Sequence, residues 1–374
     1  MRKSNSKEID TPRARQLAAL LTTARQLRQD GKLAEAGVRC YELLQLAPDH
    51  VEALQLMASM AMQTGATDMA IASLERALAI LPQSPEILIQ LGEALLANRR
   101  AEEALATLKR ALSLRAKDGT IFRLLGQAQL DLGRRDDALK SFRKALSIIA
   151  YDSYSAHMVA ALSGEVVSAA QSYVPALFDH YAGLFDEHLT GTLEYRVPQV
   201  LLELVQRHHP GPIATALDLG CGTGLVGEAF RGVVGAMDGV DIAPEMVRKA
   251  REREIYRNVV IDDVTQALET KQFAGPYELV TAADVFIYLG PLETVFARVA
   301  TALRSEGLFG FSVETATGSQ AVEIRSSGRF AHADAYLMHL AAGHGFSLLE
   351  RLPLPIRQER NRPIDGAIYL LQRN

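Results

Sequence analysis

The sequence predicts an α-helical repeat array followed by an α/β domain. Three observations lead to this prediction: residues 1–150 repeat with a period of 34, apolar runs alternate with amphipathic stretches from about residue 210, and the first of these runs ends in a glycine-rich turn. A chain of 374 residues is long enough for two domains of ordinary size. Apolar runs that alternate with helical stretches favour a mainly parallel sheet covered by helices.

The composition is typical of a water-soluble globular protein. Hydrophobic residues make up 48%, charged residues 22%, and the mean hydropathy is +0.03. No apolar stretch approaches the ~18 residues that span a bilayer, and the first residues lack the apolar core of a secretory signal. Cys40 and Cys221 cannot form a disulfide framework or a four-ligand zinc site. We therefore expect a cytoplasmic protein without a membrane association.

The formal net charge of -4 hides an asymmetry between the two halves. Residues 1–150 carry 22 Lys and Arg against 17 Asp and Glu (+5), whereas residues 151–374 carry 18 against 27 (-9). The acidic half would repel a phosphate chain, so we do not expect a nucleic-acid substrate.

The amino-terminal half divides into four frames of 34 residues that start at Leu17, Val51, Pro85 and Gly119. Each frame contains two apolar-periodic segments separated by a breaker, which predicts a helical hairpin. The eighth position is small and the twenty-fourth is a larger apolar residue, so we expect close helix crossings. These positions are Ala24, Ala58, Gly92 and Gly126, and Cys40, Leu74, Leu108 and Phe142.

This pattern resembles the tetratricopeptide repeat over roughly residues 17–150. One hairpin cannot bury both of its faces, whereas four stacked hairpins share a continuous core. The resemblance implies a concave surface that binds a peptide, a protein or another copy of the chain. The alternative is a purely structural array that stiffens the protein or forms a homodimer.

The carboxy-terminal half begins its sheet pattern with residues 214–219, followed by Gly220-Cys221-Gly222-Thr223-Gly224 and a helical segment. Such a turn lets the backbone approach a ligand closely, and the next helix presents unpaired N–H groups there. A dinucleotide fingerprint needs a third glycine where Leu225 stands, so the spacing argues against that ligand.

Residues 218–224 instead resemble motif I of the class I S-adenosylmethionine-dependent methyltransferases. The resemblance implies a Rossmann-like domain with a mostly parallel seven-stranded sheet, and S-adenosylmethionine as cofactor. Because this cofactor is cationic, carboxylates such as Asp218 suit its site, and Cys221 is expected to serve only as a small residue. The cofactor-binding residues predicted in this stretch are Asp218, Gly220, Cys221, Gly222 and Gly224.

The next two apolar runs also end in acids. Asp241 follows the glycine turn by about twenty residues, where a carboxylate accepts hydrogen bonds from ribose hydroxyls, and Ile242 is expected to wall the adenine. By resemblance, the acid after the third run faces the adenine amino group; Asp263, followed by Val264, fits the register better than Asp262. The alternative for Asp263 is a helix cap or a solvated turn.

Five further stretches look like those of a bacterial family of predicted methyltransferases with tetratricopeptide repeats. Membership implies the activity class and no particular substrate. The stretches are residues 185–189, 193–198, 283–288, 311–314 and 327–332. The domains expected are a flexible tail (1–16), four repeats (17–150), a helical linker or cap (151–175) and the methyltransferase domain with its preceding helices (176–374).

Acceptor-side residues are expected after the fourth and fifth strands and in the helices before the first strand. Methyl transfer requires alignment, exclusion of water and in some cases a proton acceptor, and no metal. Asp284 faces the sulfonium or an acceptor in this interpretation, or is a loop carboxylate; Glu314 has the same alternatives. His332 is the first candidate for a general base and His188 the second, because histidine titrates near neutral pH; a structural histidine is the alternative.

The segment before the first strand places Phe178, Tyr181, Phe185 and His188 on one helical face, as a lid over the donor or as a packing stripe. Arg196, with Tyr195, is expected to close over the donor's carboxylate or to form a structural salt bridge.

The sequence leaves the acceptor open. No N/D-P-P-Y/F motif follows the fourth run, and no Pro-Cys pair suggests attack on cytosine. Three hypotheses remain: a methyltransferase whose repeats recruit a peptide, protein or carrier-linked acceptor, a small-molecule methyltransferase whose repeats only dimerise, and a catalytically silent binding module.

Overall fold

The computed structural model describes residues 12–164, 174, 195–273, 275–359 and 362–374. The chain divides into two compact units, Met1–Ala150 and Tyr151–Asn374. Within these described residues, no helix is long and apolar enough to cross a membrane.

The first unit is a series of helical hairpins, which confirms the repeat prediction. Its helices are α1 (Pro12–Gln29), α2 (Leu33–Leu46), α3 (Val51–Gln63), α4 (Thr67–Ile80), α5 (Pro85–Ala97), α6 (Ala101–Leu114), α7 (Gly119–Asp131) and α8 (Arg135–Ile148). Residues 12–16, expected in the tail, are helical, because α1 begins at Pro12. Ser84 and Asp118 cap α5 and α7 by accepting backbone N–H groups, which fixes where these helices begin.

The small and large positions of the repeat meet inside the third and fourth hairpins. A Cβ atom on Gly92 would lie 2.6 Å from Leu108 Cδ2, and one on Gly126 would lie 2.6 Å from Phe142 Cε1. The glycines therefore let α5 approach α6, and α7 approach α8, closely enough for the larger side chain to fill the crossing.

The second unit begins with α9 (Ser153–Ser163), which packs on a hairpin far along the chain. Tyr154 Oη donates a hydrogen bond to the Ser326 carbonyl oxygen at 2.5 Å, and His157 Nε2 lies 2.8 Å from the Gly328 carbonyl oxygen. The first part of the predicted linker is thus an integral helix of the second unit.

The described residues of this unit contain a nine-stranded sheet. Its strands are β1 (Ile213–Leu219), β2 (Val234–Asp241), β3 (Asn258–Ile261), β4 (Tyr277–Ala282), β5 (Leu303–Thr315), β6 (Val322–Ile324), β7 (Phe330–His332), β8 (Phe346–Glu359) and β9 (Arg362–Arg373). The helices are α10 (Val197–His208), α11 (Leu225–Ala229), α12 (Pro244–Glu252), α13 (Val264–Ala267), α14 (Glu293–Ala302) and α15 (Asp334–Gly343).

The strand order is β3-β2-β1-β4-β5, and all of these neighbours are parallel. Beyond β5 the sheet branches: the antiparallel β8–β9 pair joins one stretch of β5, and the β6–β7 hairpin joins its last residues. The β6–β7 hairpin and the β8–β9 pair take the sheet to nine strands where seven were expected. The mostly parallel α/β prediction is confirmed.

The order of the strands reverses between β1 and β4, because β2 and β3 lie to one side and β5 to the other. Open α/β sheets bind ligands in the crevice at the carboxyl ends of the strands beside such a reversal. Buried phenylalanines pack next to this crevice: Phe309 and Phe311 of β5 contact Phe286, which follows β4.

Candidate methyl-donor site

The turn after β1 has the backbone shape that only glycine adopts without strain. Gly220, Gly222 and Gly224 have φ angles of 65°, 53° and 95°. A Cβ atom on Gly220 would lie 2.4 Å from Val285 Cγ2, so the loop after β4 packs directly on the turn. Among the described residues, nothing lies within 4 Å of a Cβ atom placed on Gly222, so these residues leave one face of the turn open.

Asp241, at the end of β2, is tied to this turn. Its Oδ2 accepts a hydrogen bond from the Gly222 N–H at 2.9 Å, and its Oδ1 accepts one from the Ala243 N–H at 2.9 Å. Burial raises the pKa of this carboxyl, and the backbone N–H groups oppose that shift. The Ile242 N–H also bonds this carboxylate, so three of its roughly four lone-pair sites are used and one remains for a hydroxyl hydrogen. We call the turn 220–224, Asp241 and Asp218 the donor edge.

Asp218 lies beneath the turn and is completely buried. Tyr256 Oη donates to its Oδ2 at 2.7 Å and Thr281 Oγ1 donates to its Oδ1 at 2.9 Å. Burial raises the pKa of Asp218 to about 7, although both hydrogen bonds favour the ionised form. The geometry places Asp218 as a support for the turn, and its direct contact with a cofactor stays a prediction.

Cys221 offers only its backbone to the open face. Its side chain packs with Val247, Ala250 and Val259 in a small apolar cluster, and burial raises the pKa of the thiol well above its usual range. This placement agrees with the expectation of a small, unreactive residue.

The residues predicted around the adenine lie on two neighbouring loops. Ile242 packs against the cluster that contains Ile287 and Tyr288. Asp263 Oδ1 accepts the Thr265 N–H at 2.8 Å and caps α13, whose first residue is the buried Val264. The capping alternative therefore holds for this oxygen of Asp263, and its contact with adenine stays a prediction.

Beyond β4, four charged side chains form a chain of ion pairs. Arg357 Nη1 lies 2.9 Å from Asp284 Oδ1, and its Nη2 pairs with Glu314 Oε1. Glu314 Oε2 in turn lies 2.9 Å from Arg325 Nη1. The side chains of Arg357 and Glu314 are each only 2% exposed. We call Asp284, Glu314, Arg325 and Arg357 the charged edge.

Asp284 has a φ of 61°, the left-handed region that costs a non-glycine residue free energy. Its N–H donates to Ser312 Oγ at 2.8 Å, and Arg357 holds its carboxylate. Asp284 thus precedes Val285, which contacts the glycine turn. Its backbone N–H and its carboxylate each have a hydrogen-bond partner.

Two buried tyrosines lie near the carboxylate of Asp284. Tyr195 and Tyr288 are buried, and burial raises the pKa of both phenols, with the Asp284 carboxylate adding to the shift. The Tyr195 phenol also experiences the charges of Asp218 and Arg357. Arg196 follows Tyr195 but is exposed at the start of α10.

His332 is an interior residue of the sheet. It is 0% exposed in β7, and its Nε2 lies 2.8 Å from the Gly290 carbonyl oxygen, to which it must donate. Burial lowers the pKa of His332 to about 4. A base needs access to the acceptor's proton, so this geometry favours the structural alternative. Glu314 is equally inaccessible between two arginines. Tyr181 and His188 lie outside the described residues.

The residues of the donor edge fit S-adenosylmethionine. An open glycine turn, a carboxylate with a free lone pair at the end of β2, and two further carboxylates near the turn suit a cationic nucleoside without phosphates. Sequence reasoning missed Tyr256, Thr281, Ser312 and Arg357, which hold the predicted acids in place. Nothing in the sequence marks these residues, because each acts across the fold.

Comparison with known families agrees with both units. Residues 217–309 match the model of the methyltransferase domain, and residues 61–128 and 124–152 match models of the tetratricopeptide repeat. The matches place a methyltransferase-like segment in the second unit and repeat-like segments that lie almost wholly in the first. Over these segments the chain is similar to the methyltransferase domain and to the tetratricopeptide repeat.

Curated relatives that match part of this chain are O-methyltransferases by name. Ubiquinone biosynthesis O-methyltransferase of Methylobacterium sp. (strain 4-46) is 30% identical over 112 residues, 28% of this chain and 45% of that protein. Nocamycin O-methyltransferase of Saccharothrix syringae is 34% identical over 142 residues, 36% of this chain and 49% of that protein. The chain spans about half the length of these relatives. The solved structure of magnesium protoporphyrin IX methyltransferase from Synechocystis PCC 6803 with bound SAM aligns with a TM-score of 0.37 at 18% identity, covering 48% of this chain and 78% of that one.

Proposed function

We propose that this chain is an S-adenosylmethionine-dependent methyltransferase whose repeats recruit a peptide, protein or carrier-linked acceptor. The observation that carries the proposal is the open glycine turn tied to Asp241 through the Gly222 N–H. A turn with an open face and an adjoining carboxylate is suited to a ribose and its attached methionine, and the matched domain family supports the same assignment.

In this proposal Asp241 holds a ribose hydroxyl, Ile242 and Asp263 flank the adenine, and the backbone at Gly220 and Gly222 lies along the methionine. When bound, S-adenosylmethionine supplies an electrophilic methyl group on a sulfonium. Tyr195 and Tyr288 exclude water from the space near Asp284, since both side chains are buried. Because His332 and Glu314 are inaccessible, alignment of the reactants is the main contribution of the described residues. The relatives are O-methyltransferases by name, which favours an oxygen acceptor.

The first helices of successive repeats supply the recruiting surface. Gln55 Nε2 of α3 donates to Gln90 Oε1 of α5 at 2.9 Å, so polar side chains join neighbouring repeats. Glu93 on α5 is exposed and lies within reach of the charge of Arg123 on α7. Polar groups along α3, α5 and α7 are suited to bind an extended segment of a partner.

The donor assignment is tested by calorimetry with S-adenosylhomocysteine and the full chain. We expect binding by the unsubstituted protein and a loss of at least about tenfold in Asp241→Ala, because a charge-assisted hydrogen bond is removed. Glu278→Ala is the matched control: this carboxylate accepts the Ala214 N–H at 2.7 Å at the amino end of the sheet. No binding by the unsubstituted chain contradicts the proposed activity.

The recruitment assignment is tested with methyl-labelled donor and size-fractionated cell extract. We expect label in protein fractions, and we expect Arg123→Glu to reduce that label. Arg134→Glu is the control, because Arg134 forms an exposed pair with Glu102 at a hairpin turn. Label confined to small metabolites contradicts recruitment of a protein acceptor.

One observation favours a second function for the repeats, self-association. Ile80, Leu114 and Ile148 end the second helices of three repeats and are 36%, 45% and 37% exposed. An apolar row of this kind on a helical array is a typical interface. A mass measurement by light scattering distinguishes recruitment from self-association. If the chain is a dimer, and Leu114→Lys makes it a monomer without loss of labelled protein product, the apolar row serves self-association.

A further inference from the structure

Three glycines outline a slot that the ring of Tyr256 fills. A Cβ atom on Gly227 would lie 2.7 Å from Tyr256 Cζ, one on Gly239 would lie 3.1 Å from its Cδ1, and one on Gly224 would lie 3.2 Å from its Cε2. Gly227 lies in α11, Gly239 lies in β2, and Gly224 lies in the turn after β1. A methyl group at Gly227 would displace the ring, whereas one at Gly224 or Gly239 would be in tight contact with it.

The hydroxyl of Tyr256 joins two parts of the donor edge. It donates to Asp218 Oδ2 at 2.7 Å and accepts the Gly227 N–H at 3.1 Å. Asp218 is the next-to-last residue of β1, and Gly227 lies in α11, so the hydroxyl bridges the turn from one side to the other. Both hydrogen-bonding directions of the phenol are thereby used.

The segment that carries Tyr256 is itself fixed against the turn. Arg253 Nε donates to the Thr223 carbonyl oxygen at 2.6 Å, and the Arg257 N–H donates to the Met237 carbonyl oxygen at 2.6 Å. Glu254 between them has a φ of 54°, a bend that directs the segment back under the turn. The ring is therefore held at both ends of a short connection between α12 and β3.

We propose that Tyr256 is a positioning residue of the methyl-donor site, which holds the glycine turn in its open shape through Asp218 and Gly227. This inference rests on the proposed function, because the turn is the donor-binding element. Tyr256 acts through the turn: its ring fills the slot among the three glycines, and its hydroxyl is engaged by Asp218 and Gly227.

A pH profile separates this role from a general effect on stability. The hydrogen bond from Tyr256 favours the ionised form of Asp218, so its removal raises the pKa of Asp218 above about 7. If donor binding requires ionised Asp218, the affinity increases as the pH rises through the pKa of Asp218. Without the Tyr256 hydroxyl, the midpoint of this increase lies at a higher pH than in the unsubstituted chain. Among the described residues, the other titratable or charged groups near this carboxylate and its turn are Asp241, Tyr195, Cys221, Arg251 and Arg253.

The experiment measures binding of S-adenosylhomocysteine to the full-length chain between pH 6 and 8. Tyr256→Phe keeps the ring in the slot and removes only the hydroxyl. Tyr277→Phe is the matched control, because Tyr277 Oη donates to the buried Asp238 Oδ2 at 2.8 Å at the amino end of β4. Thermal unfolding of both variants shows the cost in stability. Asp218→Asn, which cannot ionise, gives a second measurement if Tyr256→Phe does not fold.

We expect Tyr256→Phe to bind about tenfold more weakly at pH 7, with its midpoint moved up by about half a pH unit, and Tyr277→Phe to bind like the unsubstituted chain. Asp218→Asn is expected to lose the pH dependence. Equal binding by Tyr256→Phe and the unsubstituted chain overturns the inference alone, and so does an equal loss in Tyr277→Phe or an unchanged pH profile in Asp218→Asn. Absence of binding by the unsubstituted chain overturns the proposed function as well.

Discussion

The donor edge and the charged edge lie side by side at the carboxyl ends of the strands, yet they are built in opposite ways. The donor edge depends on glycines and on backbone N–H groups. Gly220 has no side chain to clash with Val285, and the Gly222 N–H donates to Asp241. The charged edge depends on long side chains that cross from β8 to β5, as Arg357 does. The first should therefore fail when an atom is added, and the second when a partner is removed.

The largest effect is expected at the charged edge. Arg357→Met leaves Glu314 in the interior with one of its two cations gone, and breaking a buried pair in this way costs roughly 3–5 kcal/mol. The measurement is urea unfolding at pH 7. Arg351→Met is the control on the same strand: Arg351 pairs with Asp334 at 2.9 Å but is 30% exposed, so its loss should cost roughly 1 kcal/mol or less.

A double variant sharpens this test. If the cost comes from the unpaired charge, Glu314→Gln should recover part of the stability lost in Arg357→Met, because the amide is neutral. Equal instability of the single and double variants would assign the loss to packing of the Arg357 side chain.

The next effect is the pH dependence of stability, which has opposite signs for His332 in β7 and Asp218 in β1. The pKa of His332 is lowered from 6.5 to about 4, so the unfolded chain binds a proton that the folded chain does not. Stability is then present above pH 6.5 and falls by roughly 3 kcal/mol as the pH drops to 4. Asp218 has a raised pKa, so its contribution is present near pH 4 and is lost as the pH rises through 7.

Urea unfolding of His332→Gln and Asp218→Asn between pH 4 and 8 measures these two slopes. His332→Gln should lose less stability on acidification than the unsubstituted chain, and Asp218→Asn should lose less on moving from pH 5 to 8. Matching slopes in all three proteins would show that neither group titrates with folding.

The smallest effect on stability, and a direct effect on donor binding, is expected at Gly220. Gly220→Ala imposes a left-handed conformation on alanine, which costs roughly 1–2 kcal/mol, and its methyl group meets Val285 Cγ2. Affinity for S-adenosylhomocysteine should fall. Adding Val285→Ala removes the contact and should restore part of the affinity, while the backbone cost remains; no recovery would place the whole effect in the backbone.

The sequence predicts what is local and misses what is assembled. The repeat and the glycine turn are visible because a few adjacent residues determine them, and β1, β2 and β4 lie where their apolar runs indicated. The charged edge joins residues 284, 314, 325 and 357, and no spacing marks them as partners. His332 was selected for its titration range, but burial in β7, which depends on pairing with β5 and β6, removes it from the solvent. A single tyrosine before β3 gave no sign that three distant glycines make room for it.

The helix α9 determines where a different repeat array can be joined to the second unit. Its contacts with Ser326 and Gly328 are made inside the second unit, and that unit begins at Tyr151, directly after the last repeat. The natural point of exchange between modules is therefore Ala150. A chimaera that joins a foreign repeat array at that residue keeps α9 on its hairpin, whereas one joined at residue 176 strips a helix from the sheet and leaves Phe330 without the edge-on ring of His157.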